Sequence, residues 1–171
     1  MKRTKLLTAL VLVSILVVSC ASFKPTHKVK AEFDEIVATQ LNTPKKVNKW
    51  LWYHFAYDHD KLRMAKSGFI SIYSPWKTYR EKSGVCFDSA NFAGYCLSKV
   101  GYECELVFAR AFPGRPGHVV CVFKENGDWW TIGDSRDFSI RGPYKNFKEI
   151  ALRITRGVHA NYQLNKFRKY W

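Results

Sequence analysis

At Gly101 the hydrophobic period of the chain changes. Before it, Ala90, Ala93, Leu97 and Val100 recur at i, i+3, i+7 and i+10, the stripe of a helix that begins near Cys86 and stops at the glycine. After it, Cys104–Arg110 and Gly117–Lys124 are rich in β-branched and aromatic residues, and Trp129–Gly133 follows Glu125-Asn126-Gly127. Pro113, Gly114, Pro116 and Gly117 punctuate the first of these connections. Upstream, Thr43-Pro44 is a helix start, and Val47, Leu51 and Phe55 carry the predicted helix from Pro44 to Tyr57. Ser74-Pro75 repeats that start before a short helix, and 58–73 reads as a connection. Asn146–Arg156 is a further predicted helix, and the basic tail to Trp171 adds a last strand or helix. Helices first and an antiparallel meander second give an α+β fold. With 171 residues there is room for one such domain.

The N-terminus reads as an address. Lys2, Arg3 and Lys5 precede an apolar run from Leu6 to Val18, too short for a comfortable membrane span. The run ends in Val17-Val18-Ser19-Cys20, which resembles the lipobox of bacterial lipoproteins. The resemblance implies a signal peptide over 1–19, cleaved before Cys20, with Cys20 then carrying the lipid. Residues 20–31 are the expected tether, and 32–171 the folded domain. The expected location is the bacterial cell envelope, on the periplasmic face of the outer membrane in a Gram-negative cell.

Charge is then easier to place. The formal +14 loses Lys2, Arg3 and Lys5 with the signal peptide, which leaves +11 on the mature chain. Much of that excess lies in the tether and the C-terminal third. It suits an anionic envelope surface. Nucleic acid is not an expected partner, because an exported protein rarely meets it. Hydrophobic residues at 47% and aromatics at 16% exclude disorder as the main state.

Cys86 sits where a loop meets the start of the third helix. A helix N-terminus offers unpaired N–H groups and the positive end of the dipole, and both favour thiolate over thiol. A cysteine nucleophile also needs an imidazole to take its proton and a third group to orient that imidazole. His118, at the start of one strand, and Asp134, at the end of the next, are the candidates. Asp137 and Ser135 compete for the orienting role, and placement at the strand end favours Asp134. The hairpin between them admits two registers. A two-residue Asn126-Gly127 loop sets His118 opposite Ser135. A three-residue Glu125-Asn126-Gly127 loop sets His118 opposite Asp134, with Cβ atoms about 5 Å apart. The three-residue loop is the expectation; it pairs Val120 with Ile132 and Phe123 with Trp129.

Gly84-Val85-Cys86-Phe87-Asp88-Ser89-Ala90 resembles the Gly-x-Cys-x-Asp-x-Ala motif of the transglutaminase-like (papain-like) superfamily. The resemblance extends to Phe55-Ala56-Tyr57-Asp58, Ser74-Pro75, Gly101-Tyr102, His118, and Trp130 four residues before Asp134. It implies a papain-like core with the nucleophile at a helix N-terminus packed on an antiparallel sheet. It also implies Cys86 as nucleophile, His118 as general base and acid, and Asp134 as the orienting carboxylate. The implied oxyanion hole combines the Cys86 N–H with an upstream side chain, for which Trp76, Tyr73 and Tyr79 are candidates. Val120 departs from the aromatic that the family often has two residues after its histidine, which bears on pocket shape.

The expected function is a membrane-anchored cysteine enzyme attacking an amide or peptide carbonyl through a thioester. Hydrolysis is favoured over amine transfer, and the expected substrate is a peptide or protein of the cell envelope. The alternative is a non-catalytic lipoprotein that binds a peptide or partner on the same fold. No cofactor and no metal are expected: Cys96, Cys104 and Cys121 contain no C-x-x-C pair, and His54, His59 and His159 lack spaced ligand partners. Export permits a Cys96–Cys104 disulfide, whereas Cys96 and Cys121 read as small core residues. Asp88 reads as a cap in the first turn of the Cys86 helix.

Overall fold

The computed structural model describes residues 27–66, 71–110, 117–133, 138–156 and 161–165, with 65, 66 and 161–165 as backbone. The expected signal peptide, Cys20, Asp134, Ser135, Asp137, His159 and the tail beyond residue 165 lie outside the described residues. The elements run α1 (His27–Gln40), α2 (Pro44–His54), β1 (Ala56–Tyr57), α3 (His59–Lys66), α4 (Pro75–Glu81), β2 (Ser83–Gly84) and α5 (Cys86–Lys99). They continue as β3 (Cys104–Arg110), β4 (His118–Glu125), β5 (Asp128–Ile132), β6 (Arg141–Tyr144), α6 (Phe147–Ile154) and β7 (Asn161–Asn165). The fold is α+β: a five-stranded antiparallel sheet, ordered β6-β5-β4-β3-β7, carries α5 on one face and α6 on the other. The parallel pair β1–β2 stands apart from that sheet.

Both helix starts form as their sequences predict. The Lys46 N–H donates to Thr43 Oγ1 at 3.2 Å, and the Lys77 N–H to Ser74 Oγ at 3.3 Å, each with proline opening the helix. Two boundaries move. Helix α2 ends at His54, because Phe55 turns extended and buries its ring, and Ala56–Tyr57 leave as a strand. The stretch expected as a tether is already helical at His27, and Phe33 and Val37 from that helix enter the core. Within the expected 58–73 connection, 59–66 is helix α3.

The three-residue hairpin loop is overturned. Phe123 pairs with Trp130, Lys124 with Trp129 and Glu125 with Asp128, so Asn126-Gly127 alone make the turn. Both turn residues have positive φ, 54° and 86°. That conformation matches the right-handed twist of the flanking strands, and Asn-Gly adopts it at little cost. Cys121 faces Ile132 at the last described pair, and continuing this register sets Val119, not His118, opposite position 134.

Alternation along the strands divides the core. Leu106, Val119, Cys121 and Phe123 face α5, together with Phe33, Leu51, Phe92 and Leu97 from the helices. Val107, Val120 and Val122 face Ile150 of α6. An aromatic cluster joins the helical layer, with Trp50 centred 4.5 Å from Phe92 and 5.2 Å from Tyr79. The thiols Cys96, Cys104 and Cys121 are unbridged.

Candidate active site

Cys86 is the first residue of α5 and is 8% exposed. Asp88, fully buried, fixes the loop that delivers it. One carboxylate oxygen accepts the Val85 N–H at 2.7 Å and the Lys61 ammonium at 2.7 Å; the other accepts the Tyr73 N–H at 2.6 Å. Val85 has no side-chain acceptor of its own, so this cap runs one way, from the third helical residue back. Gly84 is needed beside it: a Cβ there would lie 2.5 Å from Asp88 Oδ2. Asn91 adds a second tie, donating from Nδ2 to the Tyr73 carbonyl at 3.1 Å. The cap reading of Asp88 therefore stands, with a wider reach than one helical turn.

Strand β4 brings His118 to the thiol. Its Nε2 lies 2.6 Å from the Gly133 carbonyl oxygen, which can only accept, so Nε2 carries the proton. In the neutral ring that leaves the lone pair on Nδ1. Burial pushes the Cys86 thiol up, but the neighbouring His118 first, and then the Val119 N–H and the Tyr57 hydroxyl, outweigh it. The net result is a thiol pKa below the ordinary value. Cys96 and Cys121 show the contrast: in the core, burial holds Cys96, and the neighbouring Cys104 followed by burial holds Cys121, well above the ordinary range.

Tyr57 is the residue that sequence reasoning missed. Strand β1 pairs Tyr57 with Gly84, and the Asp58 N–H donates to the Gly84 carbonyl at 2.8 Å. These bonds lock the phenol beside Cys86. Burial first, and then the neighbouring Cys86, push the Tyr57 hydroxyl up to about 12, so it stays protonated and able to donate. The rings of the expected donors make other contacts. Tyr73 lies under the ammonium groups of Lys61 and Lys77, at 3.1 and 4.1 Å from the ring centre. Tyr79 stacks in the aromatic cluster, and Trp76 is buried beneath the Arg80 guanidinium. The Phe55-Ala56-Tyr57-Asp58 segment was visible in the sequence, but only the parallel β1–β2 pairing reveals what its tyrosine faces.

The structure thus brings Cys86 and His118 together and adds Tyr57. Asp134 lies outside the described residues, one position beyond the carbonyl that holds His118. Among the described residues, no cluster of three or more His, Cys, Asp or Glu side chains is placed to hold a metal ion. A thiol with a lowered pKa, an imidazole with a fixed tautomer and a neutral phenol can together attack a carbonyl and bind the resulting oxyanion.

Comparison with known proteins bears on the fold. A TGase of known structure superimposes with a TM-score of 0.55 at 13% identity, over 76% of this chain and 38% of its own. This chain therefore spans less than half the length of that relative, and the likeness establishes a shared fold. LapG of Legionella pneumophila, in its calcium-bound form, aligns at 20% identity over 70% of each chain, with a TM-score of 0.48. No curated protein matches the sequence. The family model described as a transglutaminase-like domain matches residues 25–165, a span that contains all of the described residues, and the chain belongs to that family.

Proposed function

We propose that this chain is a lipid-anchored cysteine enzyme of the cell envelope that cleaves an amide or peptide bond. Cys86 is the nucleophile and His118 the general base and acid through Nδ1, its Nε2–H held by the Gly133 carbonyl. Asp134, the next residue and not the cross-strand partner of His118, is assigned the orienting role by the family resemblance alone. The Cys86 sulfur attacks the carbonyl carbon, and the oxyanion is held by the Cys86 N–H and the Tyr57 hydroxyl. The C–N bond then breaks, and the amine leaves with the proton that His118 took from the thiol. Water, giving its proton to His118, attacks the thioester; the C–S bond breaks and the acid departs. An amine in place of water gives transfer, and hydrolysis is the favoured outcome. Cys20 is the proposed site of lipidation after removal of residues 1–19.

The observation that carries this reading is Cys86 at the N-terminus of α5 beside His118, the neighbour that most lowers its thiol pKa. The test is alkylation by iodoacetamide across pH, read at Cys86 by mass spectrometry. A depressed thiol pKa keeps the thiolate populated below the ordinary thiol range, and reactivity falls only as pH drops through the lowered value. His118→Ala should move the midpoint upward and Tyr57→Phe should move it less, since His118 lowers the thiol pKa more than Tyr57 does. A midpoint at the ordinary thiol value, unchanged by His118→Ala, would sink the catalytic reading.

A further inference from the structure

The outer face of α2 has a composition that the core does not require. Lys45, Lys49 and Trp52 follow one another at spacings of four and three, and Lys46, Lys49 and Tyr53 at three and four. These spacings form two adjacent rows on the side of the helix away from Pro44, Val47 and Leu51, which are buried. All five side chains are exposed, Trp52 at 54% and Tyr53 at 67%. The Lys49 ammonium sits 6.0 Å over the Tyr53 ring. Among the described residues, the exposed large hydrophobics are Trp52, Tyr53, Tyr57 and Met64, all on α2, β1 and α3. The sequence has no Asp or Glu between Glu35 and Asp58, so this face carries positive charge only.

We infer that the outer face of α2 docks on an anionic bilayer surface, with Lys45, Lys46 and Lys49 at lipid phosphates and Trp52 and Tyr53 at headgroup depth. Lysine ammonium groups need hydrated anions, whereas exposed indole and phenol rings gain by reaching an apolar layer with their polar edges still wet. An anionic membrane supplies both at successive depths. A single helix face is convex and suits a plane. The inference rests on α2 alone and stands or falls independently of the catalytic reading and of acylation at Cys20.

The test uses the full chain labelled with fluorotryptophan, mixed with vesicles that carry a headgroup spin label. One vesicle set is phosphatidylcholine and the other is phosphatidylcholine with phosphatidylglycerol. Trp52→Phe assigns the fluorine resonance. Trp52 should broaden several-fold more in the anionic vesicles, with Trp76 unaffected, and added salt should reverse the effect. Lys45→Glu with Lys49→Glu should abolish the difference; because both sites are exposed, the resonances of Trp76 and Trp129 should report an intact fold. Equal broadening of Trp52 in both vesicle types, or none in either, overturns the inference. So does broadening that survives the double charge reversal, which would mean that another part of the chain brings it to the lipid. A Trp52 shift caused by polyglutamate but not by anionic vesicles would assign the face to an acidic polypeptide instead.

Discussion

The two faces of the central sheet are built to different standards. On the face that carries the candidate site, every α5 residue from Asp88 to Leu97 is buried, and the helix is held by side chains from α1, α2 and α4 as well as by the sheet. On the other face, α6 presents Ile150 and Ala151 to a small cluster around Val107, Val120 and Val122, with Trp129, Tyr144, Phe147 and Ile154 at its margin. Stiffness is concentrated where a sulfur and an imidazole must be held in register. The difference teaches that α6 closes the sheet, whereas α5 positions the chemistry.

That contrast can be broken by substitution, starting with its strongest member. Asp88→Ala strips the acceptor from the Val85 and Tyr73 N–H groups and from Lys61, whose side chain is 11% exposed. Chemical denaturation should show a loss of about 3–5 kcal/mol, and Cys86 alkylation should slow because its loop is no longer fixed. Asp88→Asn, which retains one acceptor oxygen, should fall between the two. Phe92→Ala opens the aromatic cluster between α5 and Trp50 and should also cost about 3–5 kcal/mol. Its alkylation midpoint should stay close to wild type, since Phe92 is not among the groups that shift the Cys86 thiol.

Ile150→Ala on the opposite face should cost about 2–4 kcal/mol and leave the Cys86 pH profile unmoved. A shift of that profile would show that the faces are coupled, against the division drawn here. The smallest effect is expected at Asn146, whose Oδ1 accepts the Glu149 N–H at 3.0 Å while Glu149 Oε2 accepts the Lys145 N–H at 2.8 Å. Asn146→Ala should remove about 1 kcal/mol, with hydrogen exchange rising in 147–154 and not in 86–99.

Local chemistry made part of this legible in advance. Thr43-Pro44 and Ser74-Pro75 start helices because a side-chain oxygen and a preset φ act within a few residues. Strand β3 runs from Cys104 to Arg110 as its composition indicates, because β-branched and aromatic residues declare a pleated surface. Helix α1 was hidden: its residues are mostly polar, and only Phe33 and Val37 are fully committed to the core. The hairpin register was hidden differently. Both loop lengths are compatible with Glu125-Asn126-Gly127, and the backbone twist of the paired strands selects the two-residue turn.

The candidate site divides along the same line. Sequence alone determined that a cysteine opens α5, that a carboxylate stands in its first turn, and that a histidine begins a strand, because helix caps, stripes and strand composition are short-range properties. Only the tertiary structure decided what touches the sulfur. Tyr57 and Gly84, and His118 and Gly133, are far apart in the chain and meet through the β1–β2 pairing and the β4–β5 hairpin. Such contacts depend on register and on the packing of separate layers, which no window of neighbouring residues encodes.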